Sequence, residues 1–290
     1  MNVLIIGGSG LVGGNILKGF LKGNKIGMNL GTHLNYPTPE TIFLDPMKEP
    51  YSTHIINKKW DVIIHTGALT NVDKCEVEQE LSYQLTVIST QRLLVLAKAN
   101  NAKFIFISTD YVFDGYKGPY READEVGPLN LYGKHKLNAE QIVQAYQDHL
   151  IIRITNVYGE EIRNKNFVSR TVCMLKTNVG KLEIKAPLDQ YATPVNAMDV
   201  AKAILLLAKD DKRGIYHIAS TDYMSRVQLL QRINMYFSEK IHIKALMTSE
   251  LKQSAQRPLR GGLIAEKFLS EYPHFIFTNI DDFLKLNKND

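Results

Sequence analysis

Tyr132-Gly-Lys-His-Lys136 places a phenol and an ammonium four residues apart. On a helix, residues i and i+4 share a face. A free tyrosine, with a pKa of about 10, exchanges protons poorly at neutral pH. A cation beside it favours the phenolate and draws that pKa toward the working range. The same spacing suits a solvated Tyr/Lys pair on an exposed helix, so the pair needs partners before it counts as chemistry. One stands upstream, where Ser108-Thr109-Asp110 ends an apolar run over 103–108. Hydroxyls at the carboxyl end of such a strand are well placed to hold a substrate carbonyl. Side chains alternate along a strand, so Ser108 and Thr109 cannot both face the site easily.

Gly7-Gly8-Ser9-Gly10-Leu11-Val12-Gly13 follows a first apolar stretch and opens a helical one. It reads as G-x-x-G-x-x-G from Gly7 or as G-x-G-x-x-G from Gly8. Glycine permits the tight turn and the close approach of backbone to pyrophosphate, and the helix N-terminus adds free N–H groups. A purely structural glycine turn is the alternative; the position between strand one and helix one favours a dinucleotide. The fingerprint also expects an acid about 20 residues on, for the ribose 2′-hydroxyl. Here Gly27-Met28-Asn29-Leu30-Gly31-Thr32-His33 has no carboxylate. That argues against strict NAD(H) preference and leaves room for a 2′-phosphate, although no arginine is nearby to hold one. The lean is toward NADP(H). Asp45 either meets the adenine edge or forms an Asp-Pro turn with Pro46.

These residues need a scaffold. Val3-Leu4-Ile5-Ile6 is wholly apolar, as in a strand buried on both faces of a parallel sheet. Residues 61–65, 103–108 and 150–154 repeat the pattern, with helical stretches near 76–100 and 130–147 between them. Alternating strands and helices predict an α/β fold, a Rossmann-type doubly wound parallel sheet. A helix over 199–208 and a strand over 214–219 return to that sheet. The expected division is a dinucleotide-binding domain of 1–155 with 196–220, and a smaller, mostly C-terminal substrate-binding lobe of 156–195 with 221–290. The stretch 285–290 is expected to fray.

The 290 residues are 44% apolar and 22% charged, ordinary for a globular protein. The formal charge of +5, from 35 basic and 30 acidic residues, comes without a basic run. That speaks against nucleic acid and for a mildly positive surface that suits an anionic small molecule. Cys75 and Cys173 make neither a disulfide framework nor a metal pattern. Cys75 sits at a polar helix start, and Cys173 in an apolar run is expected in the core. No apolar run approaches the roughly 20 residues of a membrane span. Met1-Asn2 leads straight into a strand without a leader pattern. With free thiols, this makes the cytoplasm the expected location.

The glycine loop, the strand-end hydroxyl and Tyr132-x-x-x-Lys136 together resemble the extended short-chain dehydrogenase/reductases. Ser108-Thr109-Asp110-Tyr111-Val112-Phe113-Asp114-Gly115, Pro128-Leu129-Asn130-Leu131-Tyr132-Gly133-Lys134, Asp189-Gln190-Tyr191-Ala192-Thr193-Pro194 and Gln256-Arg257-Pro258 narrow this to a resemblance to the dTDP-4-dehydrorhamnose reductase family. The resemblance implies NAD(P)H-dependent reduction of the C4 ketone of a nucleotide-linked 4-keto-6-deoxy sugar. It implies that Tyr132 protonates the carbonyl oxygen and that Lys136 lowers the tyrosine pKa and holds the nicotinamide ribose. Thr109 would bond the carbonyl and Asp110 would touch the sugar. Gly67 and Ala68 would let the cofactor approach, and Thr70 would reach toward the site. Gln190 and Arg257 are implied on the nucleotide–pyrophosphate side, an arginine fork matching phosphate geometry. Three departures stand out. Asn156 replaces a tryptophan that packs near the sugar in relatives, Thr86 replaces an asparagine, and a glycine is lost near Ala192. They leave open a reductase or epimerase acting on another nucleotide sugar. They also leave open a silent nucleotide-binding regulator, like the β subunit of methionine adenosyltransferase. Relatives are often dimers, although no interface is legible in the sequence.

Overall fold

Val3-Leu4-Ile5-Ile6 forms β1 (Val3–Ile6), buried at every residue in the computed structural model, which describes residues 1–22, 27–178 and 180–288. Along the chain follow α1 (Leu11–Lys22), β2 (Asn29–His33), β3 (Thr41–Phe43), α2 (Thr53–Ile56), β4 (Val62–His65), α3 (Val72–Val77), α4 (Gln79–Tyr83), α5 (Ser89–Asn100), β5 (Lys103–Thr109), α6 (Leu131–Gln144) and β6 (His149–Ile154). Then come α7 (Phe167–Thr177), β7 (Leu182–Pro187), β8 (Tyr191–Ala192), α8 (Ala197–Lys209), β9 (Gly214–His217), β10 (Met224–Ser225), α9 (Arg226–Tyr236), β11 (Ile241–Leu246), α10 (Glu266–Glu271) and α11 (Ile280–Lys288).

Seven strands pair in parallel in the order β3-β2-β1-β4-β5-β6-β9, a doubly wound sheet. One face is covered by α1 and α8 through Ile16, Phe20, Ile204 and Leu207. The other is covered by α5 and α6 through Leu93, Ala97, Ala139 and Val143. Burying each of the Ile, Leu, Val and Phe side chains among them stabilises by about 1.5–3 kcal/mol. The strand order reverses between β1 and β4, and ligands bind at the carboxyl ends beside such a switch point. Outside the sheet, β7 pairs with β11 and β8 with β10. There α7, α9 and α11 close a separate core around Val172, Leu230 and Phe283.

Three local expectations are corrected. The stretch 76–100 is not one helix: Asn71 caps α3, Glu78 leaves helical geometry (φ −107, ψ 61), and Gln84–Ile88 form a π-helical turn. Such turns concentrate at functional sites, and this one carries Thr86. Cys173 is partly exposed, because α7 buries Thr171, Val172 and Leu175 and residue 173 falls off that stripe. The C-terminal stretch is helical to Lys288, held by buried Ile280, Phe283 and Leu284; residues 289 and 290 lie outside the described residues. Among the described residues, no helix is long and apolar enough to cross a membrane.

Candidate active site

The helix bearing the tyrosine starts where it does because Asn130 caps it. Asn130 Oδ1 accepts the Gly133 N–H at 2.9 Å, and its Nδ2 donates to the Gln256 carbonyl at 2.8 Å. Gly133 then lets α6 sit against the 3₁₀ turn Asp110–Val112. A β-carbon at 133 would lie 2.2 Å from the Tyr111 carbonyl oxygen. This approach carries Tyr132 over the end of β5, with its ring edge-on to Tyr111 at 5.6 Å. Burial raises the phenol above its ordinary pKa, and the adjacent Thr109 hydroxyl offsets this only in part. Thr109, not Ser108, faces this side. Its Oγ1 donates to Asp110 Oδ1 at 3.3 Å and accepts from the Tyr111 N–H at 3.2 Å. Ser108 Oγ is buried without a partner.

Lys136 departs from expectation. It shares the helix face of Tyr132, yet its Nζ donates to the Ile107 carbonyl at 2.5 Å and sits 4.1 Å over the Phe106 ring. Burial pulls the ammonium down to about 7, and Glu140, one turn on, restores only part of that. Glu140 is already paired with Arg153 at 2.7 Å. The sequence predicts a phenol lowered by this lysine. The structure has a raised one, because desolvation is the larger effect on both groups. Beside Lys136, burial and the lysine charge hold His65 down at about 3. Its Nε2 meets Ser89 Oγ at 3.3 Å, while Nδ1 is buried without a partner.

Across the switch point, Gly7 takes φ +84, which a side chain would strain. A β-carbon on Gly13 would fall 2.2 Å from the Gly7 carbonyl oxygen. These two glycines seat α1 directly on β1. Leu11 and Val12 open the helix, Gly10 precedes them, and the first turn has no acid. The free N–H groups there form a cradle that fits a pyrophosphate. Gly67 and Ala68 follow β4 directly beside Gly7, on which a β-carbon would lie 3.2 Å from the Gly67 nitrogen, and Thr70 is exposed before α3. Asp45 makes a turn of its own: Oδ1 accepts the Met47 N–H at 3.0 Å and Oδ2 lies 3.7 Å from Lys48.

A cavity opens beyond Thr109, lined by Asp110, Tyr111, Asn156, Gln190, Tyr191 and Arg226. Burial pushes the Asp110 carboxyl up, against hydrogen bonds from Thr155 Oγ1 (2.7 Å) and the Gly262 N–H (3.1 Å) to Oδ2. Asn156 takes φ +39, and its Oδ1 accepts from Arg226 Nη2 at 3.1 Å. The Arg226 guanidinium stacks 4.4 Å from the Phe167 ring. Gln190 Nε2 donates to Thr248 Oγ1 at 3.0 Å. Arg257 offers half of its fork, because its Nη1 is buried without a partner. Its Nη2 pairs with Asp73 at 2.6 Å, the side chain is 8% exposed, and Asp73 Oδ1 also accepts the Ala255 N–H. Segment 255–257 is thereby strapped to α3. Thr155 and Arg226 escape the sequence reading. The one available signal for Arg226 is the capping box of Ser225 and Gln228, which marks a helix opening at residue 226.

A strand-end hydroxyl beside a helix-borne phenol, facing a glycine cradle, defines a short-chain dehydrogenase/reductase site. The model of the RmlD substrate binding domain family matches residues 1–277, and the chain belongs to that family. It is similar to a dTDP-4-dehydrorhamnose reductase from Clostridium acetobutylicum, with TM-score 0.85 and 30% identity over 100% of this chain and 99% of that one. It is also similar to a dTDP-4-dehydrorhamnose reductase from Bacillus anthracis in complex with NADP, with TM-score 0.82 and 25% identity over 99% and 98% of the two chains. Methionine adenosyltransferase 2 subunit beta from Pongo abelii is 30% identical over 91% of this chain and 80% of that protein.

Proposed function

We propose that the chain is an NAD(P)H-dependent oxidoreductase that reduces the C4 ketone of a nucleotide-linked 4-keto-6-deoxy sugar in deoxysugar and polysaccharide biosynthesis. The observation that carries this reading is the meeting of the Thr109 hydroxyl and the Tyr132 phenol between the glycine cradle and the cavity of Asp110. Thr109 holds the ketone oxygen. The Tyr132 O–H donates its proton to that oxygen, so the C=O bond becomes C–H and O–H; the nicotinamide, when bound, supplies the hydride. A phenol whose pKa is raised by burial is fully protonated at neutral pH, as a donor must be. Lys136 holds the nicotinamide ribose and steadies the phenolate left behind.

Gly7, Gly10, Leu11, Val12, Gly13, Gly67, Ala68 and Thr70 form the cofactor wall in this proposal. Asp110, Asn156, Gln190 and Arg226 form the sugar-nucleotide wall. The labour divides between 1–155 with 196–220 and 156–195 with 221–290. A cytoplasmic location and a homodimer complete the reading, by family analogy. The test is Tyr132→Phe, followed by NAD(P)H absorbance with a dTDP-linked 4-keto-6-deoxy sugar. Turnover is expected to fall by about 10²–10⁴; unchanged turnover overturns the role of Tyr132.

A second reading, a nucleotide-binding regulatory subunit, is favoured by the 30% identity to the methionine adenosyltransferase subunit together with Asn156 and Thr86. Cofactor binding without turnover of any nucleotide sugar, plus co-purification with a partner enzyme, would select it.

A further inference from the structure

The sequence offers neither an acid nor an arginine near the end of β2, where the adenosine ribose of a bound dinucleotide meets the protein. The fold supplies cations there from elsewhere. Asn15 Nδ2 donates to the Glu160 carbonyl at 3.2 Å, pinning the loop before α7 against α1. Gly159, at φ +151, turns the chain there; a β-carbon on it would lie 3.1 Å from that of Ala197. The loop then lays Arg163 along the cradle: Arg163 Nη2 is 3.8 Å from where a Gly10 β-carbon would be. The same guanidinium lies 4.8 Å from the centre of the Tyr36 ring, three residues past β2. Lys165 Nζ sits 4.6 Å from that ring and donates to the Tyr36 hydroxyl at 3.5 Å.

Neither cation has a carboxylate partner among the described residues. Arg163 Nε is also buried without a hydrogen bond. Two unpaired cations and a phenol thus converge between the pyrophosphate cradle and the end of β2. A planar guanidinium is suited to bidentate phosphate contact, and buried unpaired donors are costly to leave unmet.

We propose that Arg163 and Lys165, braced on Tyr36, form a clamp for the adenosine 2′-phosphate of NADPH, delivered from the substrate side of the chain. This deepens the reductase reading and rests on it for the dinucleotide. It commits the enzyme to a preference for NADPH over NADH.

The experiment compares 2′,5′-ADP with 5′-AMP, and NADPH with NADH, by titration calorimetry on the full chain. Arg163→Gln and the exposed Lys165→Glu are measured beside the parent. The parent is expected to bind 2′,5′-ADP at least about tenfold more tightly than 5′-AMP, and each variant to cut that ratio by about tenfold. Lys165→Glu changes a surface side chain and keeps the test valid if Arg163→Gln is poorly folded. A ratio unchanged in both variants overturns the clamp, and so does parallel loss of both ligands of a pair, which assigns the residue to the phosphates that the two ligands share. Failure of the parent to bind any of the four ligands sinks the dinucleotide reading itself. None of these measurements needs a sugar substrate, so loss of the reductase assignment alone would leave them readable.

Discussion

A lysine pressed against Phe106, whose nearest carboxylate already serves Arg153, loses its proton near neutrality. In the free enzyme Lys136 therefore carries its charge below about 7 and is neutral above it. If that charge steadies the phenolate of Tyr132, kcat/KM follows the protonated fraction and falls about tenfold per pH unit on the alkaline side. Lys136→Met should lower the rate throughout and erase that limb. A profile flat from about pH 6 to 9 in the parent would separate Lys136 from the proton transfer. The i, i+4 spacing that flags Tyr132 and Lys136 in the sequence is a statement about a helix face. It says nothing about how deep the face is buried, and depth reverses the direction of the tyrosine shift.

At the level of elements, the site depends on how closely α6 approaches the turn after β5. Gly133 makes that approach possible, since any β-carbon would have to enter the Tyr111 carbonyl at 2.2 Å. Gly133→Ala is expected to displace the helix start, cost about 1–3 kcal/mol in stability and reduce kcat by about 10²-fold. Affinity for the dinucleotide should change little, because the cradle of Gly7 and Gly13 belongs to α1. Denaturant titration and calorimetry would check the two halves separately; equal losses in kcat and in cofactor affinity would refute the assignment. Much of this frame is legible in the sequence, because β1, β4, β5 and β6 are buried on both faces and read as mainly apolar runs. The break at Glu78 and the π turn at 84–88 are not legible, since both are set by packing of α3, α4 and α6 rather than by a proline or glycine. Arg163, Lys165 and Arg226 are equally invisible, because a loop and a helix start more than 100 residues downstream bring them to the crevices.

For the whole molecule, the pH range of stability follows from two histidines that lie at the ends of parallel strands. His65 ends β4 and His217 ends β9, and burial holds both down at about 3. His217 has its ring fixed, with Nδ1 against the Tyr120 carbonyl at 3.0 Å and Nε2 3.4 Å from Arg153. Arg153 is itself bound to buried Glu140, so a proton on His217 would face a cation with no water to screen it. Both rings stay neutral in the fold, whereas in the unfolded chain each takes up a proton below about 6.5. Their stabilising share is therefore complete above about 6.5 and is lost as pH falls from there toward about 3. The slope for each is at most about 1.4 kcal/mol per pH unit. Acid titration of the unfolding free energy should show this loss beginning near pH 6, well above the range where carboxylates titrate. His217→Gln, which keeps a donor and an acceptor, should lower stability at pH 7 yet make it fall less steeply between about pH 6 and 4. If parent and variant lose stability in parallel over that interval, the ring is already protonated in the fold and the buried Glu140–Arg153–His217 cluster carries a different charge from the one assigned to it.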